Sequence, residues 1–160
     1  MGYNSTPSAA TNAAVRQRTF DVEAAYLKGE FESQQVLYAR PPRGARHYVH
    51  GVPVVWRLLV PLYGEADAGR LWNRTFVRFL TGPIAGGGGW TQSGYDPCYF
   101  FKLLSDGTRA DMVLYVDDGY IVDSGSALAD AELARLHDRF TIDVKDARFF
   151  LGNNISLGAP

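Results

Sequence analysis

The sequence predicts an α+β fold in which an antiparallel sheet has helices packed on one face. Short runs rich in β-branched and aromatic residues, separated by turn residues, indicate strands. Two longer stretches, near 67–80 and 129–140, repeat their apolar residues with a period near 3.6 and indicate helices. Two strand-like runs join through Asp-Asp-Gly at 112–122 and predict a central hairpin. Strands interleaved with amphipathic helices are typical of a layered α+β design.

The composition is that of one globular domain. The chain has 160 residues, of which 46% are hydrophobic and 21% are charged, enough to bury a sizeable core. Its formal net charge of −1 means that any affinity for nucleic acid must come from a local basic patch. The single cysteine, Cys98, excludes an intramolecular disulfide and fits a reducing compartment. No apolar run approaches the roughly 20 residues that span a bilayer, so we expect no membrane partner.

The predicted elements of the N-terminal half are short. Residues 1–17 are small and polar at their start and predict a ragged, poorly ordered end. A strand over 18–22 leads into a helical turn. Further strands are predicted at 35–39 and 54–58, with a basic, turn-rich loop at 40–47 between them.

The first long helix, over 67–80, carries arginines at every fourth position on a face distinct from its apolar one. These arginines are Arg70, Arg74 and Arg78. Such a stripe is usually a solvated helix face, which is the interpretation favoured for Arg74 and Arg78. The alternative is a template path on which arginines neutralise phosphates.

The C-terminal half continues the alternation of strands and helices. A strand at 98–103 turns into the central hairpin. Ser124 or Ser126 is the predicted cap of the second helix. Two last strands are predicted at 141–144 and 149–155.

The central hairpin carries two adjacent acids, Asp117 and Asp118. One interpretation is a plain turn, because Asp-Gly suits a type I′ hairpin. The other is a site for a hard cation such as Mg²⁺, which would relieve the repulsion between the carboxylates. Asp21 is a candidate third carboxylate at the end of the first strand, although Asp there is also a common helix N-cap. Three carboxylates from separate strands are what a two-metal phosphoryl-transfer site requires.

Six short motifs occur in order between residues 20 and 155. They are Phe-Asp-Val-Glu-Ala-Ala-Tyr-Leu-Lys-Gly-Glu-Phe at 20–31, Tyr38 with Pro42 and Gly44, Leu-Tyr-Gly at 62–64 with Arg70 and Trp72, Asp-Pro-Cys-Tyr-Phe at 96–100, Tyr-Val-Asp-Asp at 115–118, and Phe-Leu-Gly-x-x-Ile at 150–155. In these motifs the chain resembles the reverse-transcriptase domain of copia-type LTR retrotransposons. Each motif is short, but six in register are specific.

The resemblance implies a polymerase palm that adds deoxynucleotides from dNTPs to a primer 3′-hydroxyl on an RNA or DNA template. It implies Mg²⁺ as the cofactor, with Mn²⁺ as a substitute. Asp21, Asp117 and Asp118 would form the catalytic set. Asp21 and Asp117 would hold both ions and Asp118 would support them, with the Val22 backbone beside the triphosphate in the same metal site.

The resemblance also implies a nucleotide-binding set of Tyr26, Tyr115 and Arg70. Tyr26 would be a steric gate that fills the space a ribose 2′-hydroxyl needs, and its alternative is a core aromatic. Lys145 is a candidate proton donor to pyrophosphate. Its spacing differs from that of the family lysine by about one residue, so a solvated surface lysine is the alternative.

Three departures from the family pattern support a second interpretation. The family's Leu-Lys-Gln-Ala-Pro is Glu-Ala-Asp-Ala-Gly at 65–69, which puts an acid near phosphates. The expected palm-like domain at 18–156, with a tail at 157–160, lacks most of the fingers and all of the thumb. The alternative is therefore a catalytically dead remnant that binds nucleic acid or protein at most. A nucleotidyl cyclase also uses strand-borne aspartates, but the Leu-Tyr-Gly and Phe-Leu-Gly motifs do not support it.

The implied partners are template-primer, dNTPs and the rest of a Pol polyprotein, namely fingers, thumb, RNase H and integrase. The implied location is intracellular, in a cytoplasmic retroelement particle, with delivery of the product to the nucleus.

Overall fold

The computed structural model describes residues 15–83 and 88–156. The helices are α1 (Ala68–Thr81) and α2 (Ala127–Phe140), and 3₁₀ turns lie at Ala25–Lys28 and Arg43–Ala45. The strands are β1 (Arg16–Val22), β2 (Tyr38–Ala39), β3 (Tyr48–Val49), β4 (Val52–Pro53), β5 (Trp56–Arg57), β6 (Thr91–Gln92), β7 (Tyr99–Leu103), β8 (Arg109–Tyr115), β9 (Asp118–Asp123), β10 (Ile142–Asp146), β11 (Phe149–Phe150) and β12 (Asn153–Asn154).

The main sheet has six strands in the order β10-β1-β9-β8-β7-β6, and every neighbouring pair is antiparallel. The hairpin β8–β9 lies near its centre, so the predicted central hairpin is confirmed. Three two-stranded ladders, β2–β5, β3–β4 and β11–β12, stand apart from this sheet. The predicted α+β fold with an antiparallel sheet is therefore confirmed.

Both helices cover one face of the sheet. Strand residues alternate in burial: in β1, Phe20 and Val22 are buried while Asp21 between them is exposed. The buried strand residues share one core with α1 and α2, where the ring of Phe140 packs against Trp72 at 5.2 Å between centroids. The opposite face, which carries Asp21, has neither helix on it.

The long elements agree with the sequence prediction better than the short ones. α1 matches the predicted helix to within a residue, and Ser126 caps α2 by accepting a hydrogen bond from the Ala129 amide at 3.3 Å. β2 and β5 pair over only two residues where five-residue strands were predicted; in the part of the chain that the structure describes, they form an isolated two-stranded ladder.

The predicted domain limits lie partly outside the described residues. β1 begins at Arg16, two residues before the predicted start at 18. The rest of the predicted N-terminal end, at 1–14, and the predicted tail at 157–160 lie outside the described residues. Among the residues described, neither helix has the length and apolar character that crossing a bilayer requires.

Candidate active site

Three aspartates form a row across three adjacent strands, on the face of the main sheet that the helices leave uncovered. Asp21 of β1 lies directly opposite Asp118 of β9 and directly opposite Asp143 of β10. Side chains of directly opposed residues point to the same face, with Cβ atoms about 4.5–5.5 Å apart. Asp118, Asp21 and Asp143 are called the acidic row below. Tyr115 of β8 extends this row, because it lies opposite Asp118.

Asp117 lies in the tight turn beside the row. Because Tyr115 pairs with Asp118, the two residues between them, Val116 and Asp117, form the turn. Val116 has φ of 57°, an uncommon conformation for a β-branched residue. Two hydrogen bonds hold the turn: the Val22 amide donates to the Asp117 carbonyl at 3.0 Å, and Trp72 Nε1 donates to the Val116 carbonyl at 2.6 Å. β1 and α1 thus fix Asp117 at the end of Asp21's strand.

Gly119 serves packing rather than the turn. The plain-turn interpretation puts Asp-Gly at the bend, whereas the structure places Gly119 inside β9, opposite Phe20. A Cβ at this position would lie 2.0 Å from Cζ of Phe20. The glycine therefore lets the Phe20 ring pack against the β9 backbone, and the bend falls two residues earlier.

The acids of the site are short of compensating partners. Among the described residues, the carboxylates of Asp21, Asp117 and Asp118 accept no hydrogen bond and form no ion pair. Partial burial raises the pKa of Asp118, and the charges of Asp117 and Asp21 raise that pKa further. These three carboxylates repel one another, and a divalent cation bound between them would relieve that repulsion.

Lys145 is the cation beside the row. Its Nζ lies 2.7 Å from the Asp143 carboxylate, and both side chains are mostly exposed. The hydrogen bond and charge of Asp143 raise the pKa of Lys145, and the charge of Asp21 adds to this effect. Lys145 is therefore protonated at neutral pH and close enough to Asp21 to interact with it.

A groove of about 270 Å³ runs along the row. Asp21, Asp118, Asp143 and Lys145 line it together with the turn that joins β11 to β12. Asp143 lies outside the motifs that predict the site. The alternation Ile-Asp-Val-Lys at 142–145 was the available signal, since it puts the acid on the same face as Lys145.

The donor set fits a hard divalent cation, although the side chains do not enclose one. Carboxylate oxygens are the ligands that Mg²⁺ takes from proteins, usually from one or two carboxylates with water completing the shell. Within residues 15–83 and 88–156, no group of three or more His, Cys, Asp or Glu side chains is arranged so that it could hold a metal ion. The open carboxylates of Asp21, Asp117 and Asp118 are the residues available to an ion.

Tyr26 lies between the core and the start of α1. Its ring stacks on Tyr63 with 4.8 Å between centroids, and it packs against the buried cluster. A Cβ on Gly69 would lie 3.6 Å from the Tyr26 hydroxyl. These contacts support the core-aromatic alternative, and the steric-gate role stays a prediction.

The α1 arginines pair with acids that follow the first 3₁₀ turn. Arg70 lies 2.8 Å from Glu32 and 3.2 Å from Asp67, and half of its side chain is exposed. Arg74 also pairs with Glu32, and Arg78 pairs with Glu30. The stripe is thus an exposed, ion-paired face, as favoured for Arg74 and Arg78, while the nucleotide-binding role of Arg70 stays a prediction.

Comparison with known proteins gives the family. A family model described as reverse transcriptase (RNA-dependent DNA polymerase) matches residues 7–159. The chain is 29% identical over 150 residues to the retrovirus-related Pol polyprotein from transposon TNT 1-94 of Nicotiana tabacum. That alignment covers 92% of this chain and 11% of the polyprotein. No solved structure matches the chain. With nearly its whole length matched, the chain belongs to the reverse transcriptase (RNA-dependent DNA polymerase) family and is of the copia type.

Proposed function

We propose that this chain is the palm of an RNA-directed DNA polymerase, which transfers a nucleotide from a dNTP to a primer 3′-hydroxyl. One observation supports the proposal above all others: Asp21 pairs in register with Asp118, next to Asp117, and none of the three carboxylates has a partner among the described residues. Membership of the reverse transcriptase family supplies the reaction class.

In this proposal Asp21 and Asp117 hold two Mg²⁺ ions, Asp118 supports them and the Val22 backbone completes the site. When bound, such ions favour ionisation of the attacking hydroxyl and neutralise the triphosphate. The chain's own part is positioning. The backbone hydrogen bond from Val22 to Asp117 keeps Asp117 beside the end of the strand that carries Asp21.

Lys145 is the proposed proton donor to the pyrophosphate leaving group. Asp143 holds its ammonium beside the groove that contains Asp21 and Asp118. Tyr26, Tyr115 and Arg70 form the proposed nucleotide-binding set. Arg70 already pairs with Glu32 and Asp67, so a nucleotide phosphate would have to exchange with those acids.

The proposed partners are template-primer, dNTPs and other parts of a Pol polyprotein, in a cytoplasmic retroelement particle. The Pol polyprotein of the Nicotiana tabacum relative supports the polyprotein partners alone, because the chain spans about a tenth of its length.

Primer extension with a labelled primer-template, in Mg²⁺ and then in Mn²⁺, tests the activity directly. We expect extension by the wild-type chain and none by Asp117→Asn, which keeps the side-chain size and removes the charge. Arg148→Gln, an exposed change outside the acidic row, is the control and should extend as wild type does. Equal product from wild type and Asp117→Asn would rule out catalysis by this chain.

A second candidate is a noncatalytic member of the family. Asp67 supports this second candidate in two ways. The resemblance expects a glutamine at position 67, not an acid. Asp67 also pairs with Arg70, so this arginine is not free to bind a phosphate. This candidate predicts no stabilisation by Mg²⁺, whereas an intact site predicts a clear one.

A further inference from the structure

Asp117 lies between two peptide groups, each of which is held by a hydrogen bond. The carbonyl of the peptide before it, that of Val116, accepts from Trp72 Nε1 at 2.6 Å. The carbonyl of the peptide after it, its own, accepts from the Val22 amide at 3.0 Å. The orientations of these two peptide planes set φ and ψ of Asp117, and thereby the direction of its Cα–Cβ bond. Together the two hydrogen bonds therefore aim the Asp117 side chain.

Trp72 supplies the one of these two donors that belongs to a side chain. Its ring is buried and packs against Phe76 and Phe140, with 5.3 and 5.2 Å between ring centroids. Side chains in such a close-packed core stay in one rotamer on average. The indole N–H is therefore a fixed donor that reaches the turn from the core face of α1.

The turn needs a fixed donor because of its first residue. Val116 has φ of 57°, whereas Asp117 does not have a positive φ. A positive φ at the first turn residue alone is typical of a type II′ turn, which prefers glycine there. If the peptide between the two residues rotates, the turn becomes type I′ and Asp117 also takes a positive φ, which aspartate tolerates. Trp72 binds the carbonyl of this very peptide, so it opposes the rotation.

We infer that Trp72 is a positioning residue for the proposed site. Its indole N–H keeps the Val116–Asp117 peptide in one orientation, and so keeps the Asp117 carboxylate in place at the end of the strand that carries Asp21. The inference rests on the proposed function, in which these two acids hold Mg²⁺. Residues that orient a metal ligand without touching the metal typically contribute a factor of about 10–100 to metal affinity.

The first test compares two tryptophan substitutions by isothermal titration calorimetry with Mg²⁺. Trp72→Phe removes the donor and keeps an aromatic ring. Trp90→Phe is the matched control, because Trp90 is also buried and its Nε1 donates to Glu132 of α2, at 3.2 Å, rather than to the turn. Circular dichroism establishes that each variant is folded.

We expect Trp72→Phe to raise the dissociation constant of Mg²⁺ about tenfold or more, and Trp90→Phe to change it by no more than about twofold. Equal dissociation constants for wild type and Trp72→Phe would overturn the inference. Equal weakening by the two substitutions would overturn it as well, because a general loss of core packing would then explain the effect.

Phenylalanine is smaller than tryptophan, so a second variant removes the donor alone. 3-Benzothienylalanine introduced at position 72 replaces the indole N–H with sulfur in a ring of almost the same size. It should weaken Mg²⁺ binding as much as Trp72→Phe does. An unchanged dissociation constant would show that the volume of the ring, and not its hydrogen bond, matters at position 72, and would overturn the inference.

Crystal structures of the variants in EDTA separate this inference from the proposed function. In Trp72→Phe we expect the Val116–Asp117 peptide to be rotated and Asp117 to have a positive φ, whereas Trp90→Phe should keep the turn of the wild-type chain. An unchanged turn in Trp72→Phe would overturn the inference, whether or not the chain binds Mg²⁺. A rotated turn, in a chain whose wild type binds no Mg²⁺, would support the positioning role and contradict the proposed metal site.

Discussion

At the scale of single residues, the site contains an unfavourable backbone conformation and unfavourable contacts between like charges. Val116 takes a positive φ in spite of its β-branch, and Asp118 stands beside two like charges. Strain and like-charge contacts of this kind cost stability and are found where structure serves function. Substitutions that relieve them should therefore stabilise the fold while removing the proposed chemistry.

Asp118→Asn should stabilise the metal-free chain at pH 7. The folded-state pKa of Asp118 lies above 3.8, so the folded state binds more protons than the unfolded state in that range, and its stability falls as pH rises through it. Asparagine removes this penalty. Because Asp118 is exposed, we expect a gain of less than about 1 kcal/mol in the free energy of unfolding.

Thermal unfolding in EDTA measures this gain. The difference between variant and wild type should shrink as the pH approaches 4, because Asp118 of the wild type is then increasingly protonated. A variant that is less stable than wild type at pH 7 would contradict the repulsion described for the site.

Gly119→Ala should destabilise the fold by about 1–3 kcal/mol, the usual cost of forcing an extra methyl group into a packed site. The new Cβ would overlap the Phe20 ring, which is buried in the core. Urea unfolding gives the free energy. Gly44→Ala is the matched control, because nothing lies within 4 Å of its added Cβ. Similar effects from both substitutions would show that backbone entropy, and not the Phe20 contact, governs position 119.

At the scale of elements, a buried ion pair joins β7 to α2. Lys102 Nζ lies 2.8 Å from Glu132 and also donates to the Gly88 carbonyl at 2.8 Å. Trp90 Nε1 donates to the same glutamate at 3.2 Å. Every polar group of this network has a partner, so it ties the residues before β6 to the helix behind the sheet.

Lys102→Met should cost about 1–3 kcal/mol, because Glu132 would keep a buried charge with only the part-exposed Arg135 and the Trp90 indole as partners. The double variant Lys102→Met/Glu132→Leu should recover much of that loss, since it buries no charge. Chemical denaturation of wild type, Lys102→Met, Glu132→Leu and the double variant measures both effects. If the double variant loses as much as the sum of two single variants, the ion pair is not the reason for the loss.

At the scale of the whole molecule, negative charge lies on the sheet face that the helices leave open, whereas the segment at 33–64 has four arginines, two histidines and no acid. Asp21, Asp117 and Asp118 repel one another, so Mg²⁺ should stabilise the chain through these carboxylates.

Mg²⁺ at about a hundredfold excess over its dissociation constant should stabilise the wild-type chain by roughly 2–3 kcal/mol. Asp117→Asn should lose most of this gain, and Asp106→Asn, an exposed acid at the far end of β8, should keep it. Thermal shift across a magnesium titration measures the effect. Equal stabilisation of all three proteins would mean that the ion binds elsewhere.

Local pattern was sufficient for the long elements. The 3.6-residue period of α1, a serine cap for α2 at 124 or 126 and the alternation in β7–β9 are properties of adjacent residues, so the sequence alone predicts them; the structure decides for Ser126. The six motifs identified the family for the same reason. The two-residue strands were not predictable at their true length, because pairing with another segment decides where they end.

The sequence by itself determined the α+β class, the two helices, the central hairpin and the family. Tertiary structure alone decided that Asp143 joins Asp21 and Asp118, that Gly119 makes room for Phe20, and that the arginines of α1 pair with acids. The reason is physical. Strand register and ion pairing depend on which distant segments meet, and a one-residue change of register would turn every side chain of a strand to the opposite face.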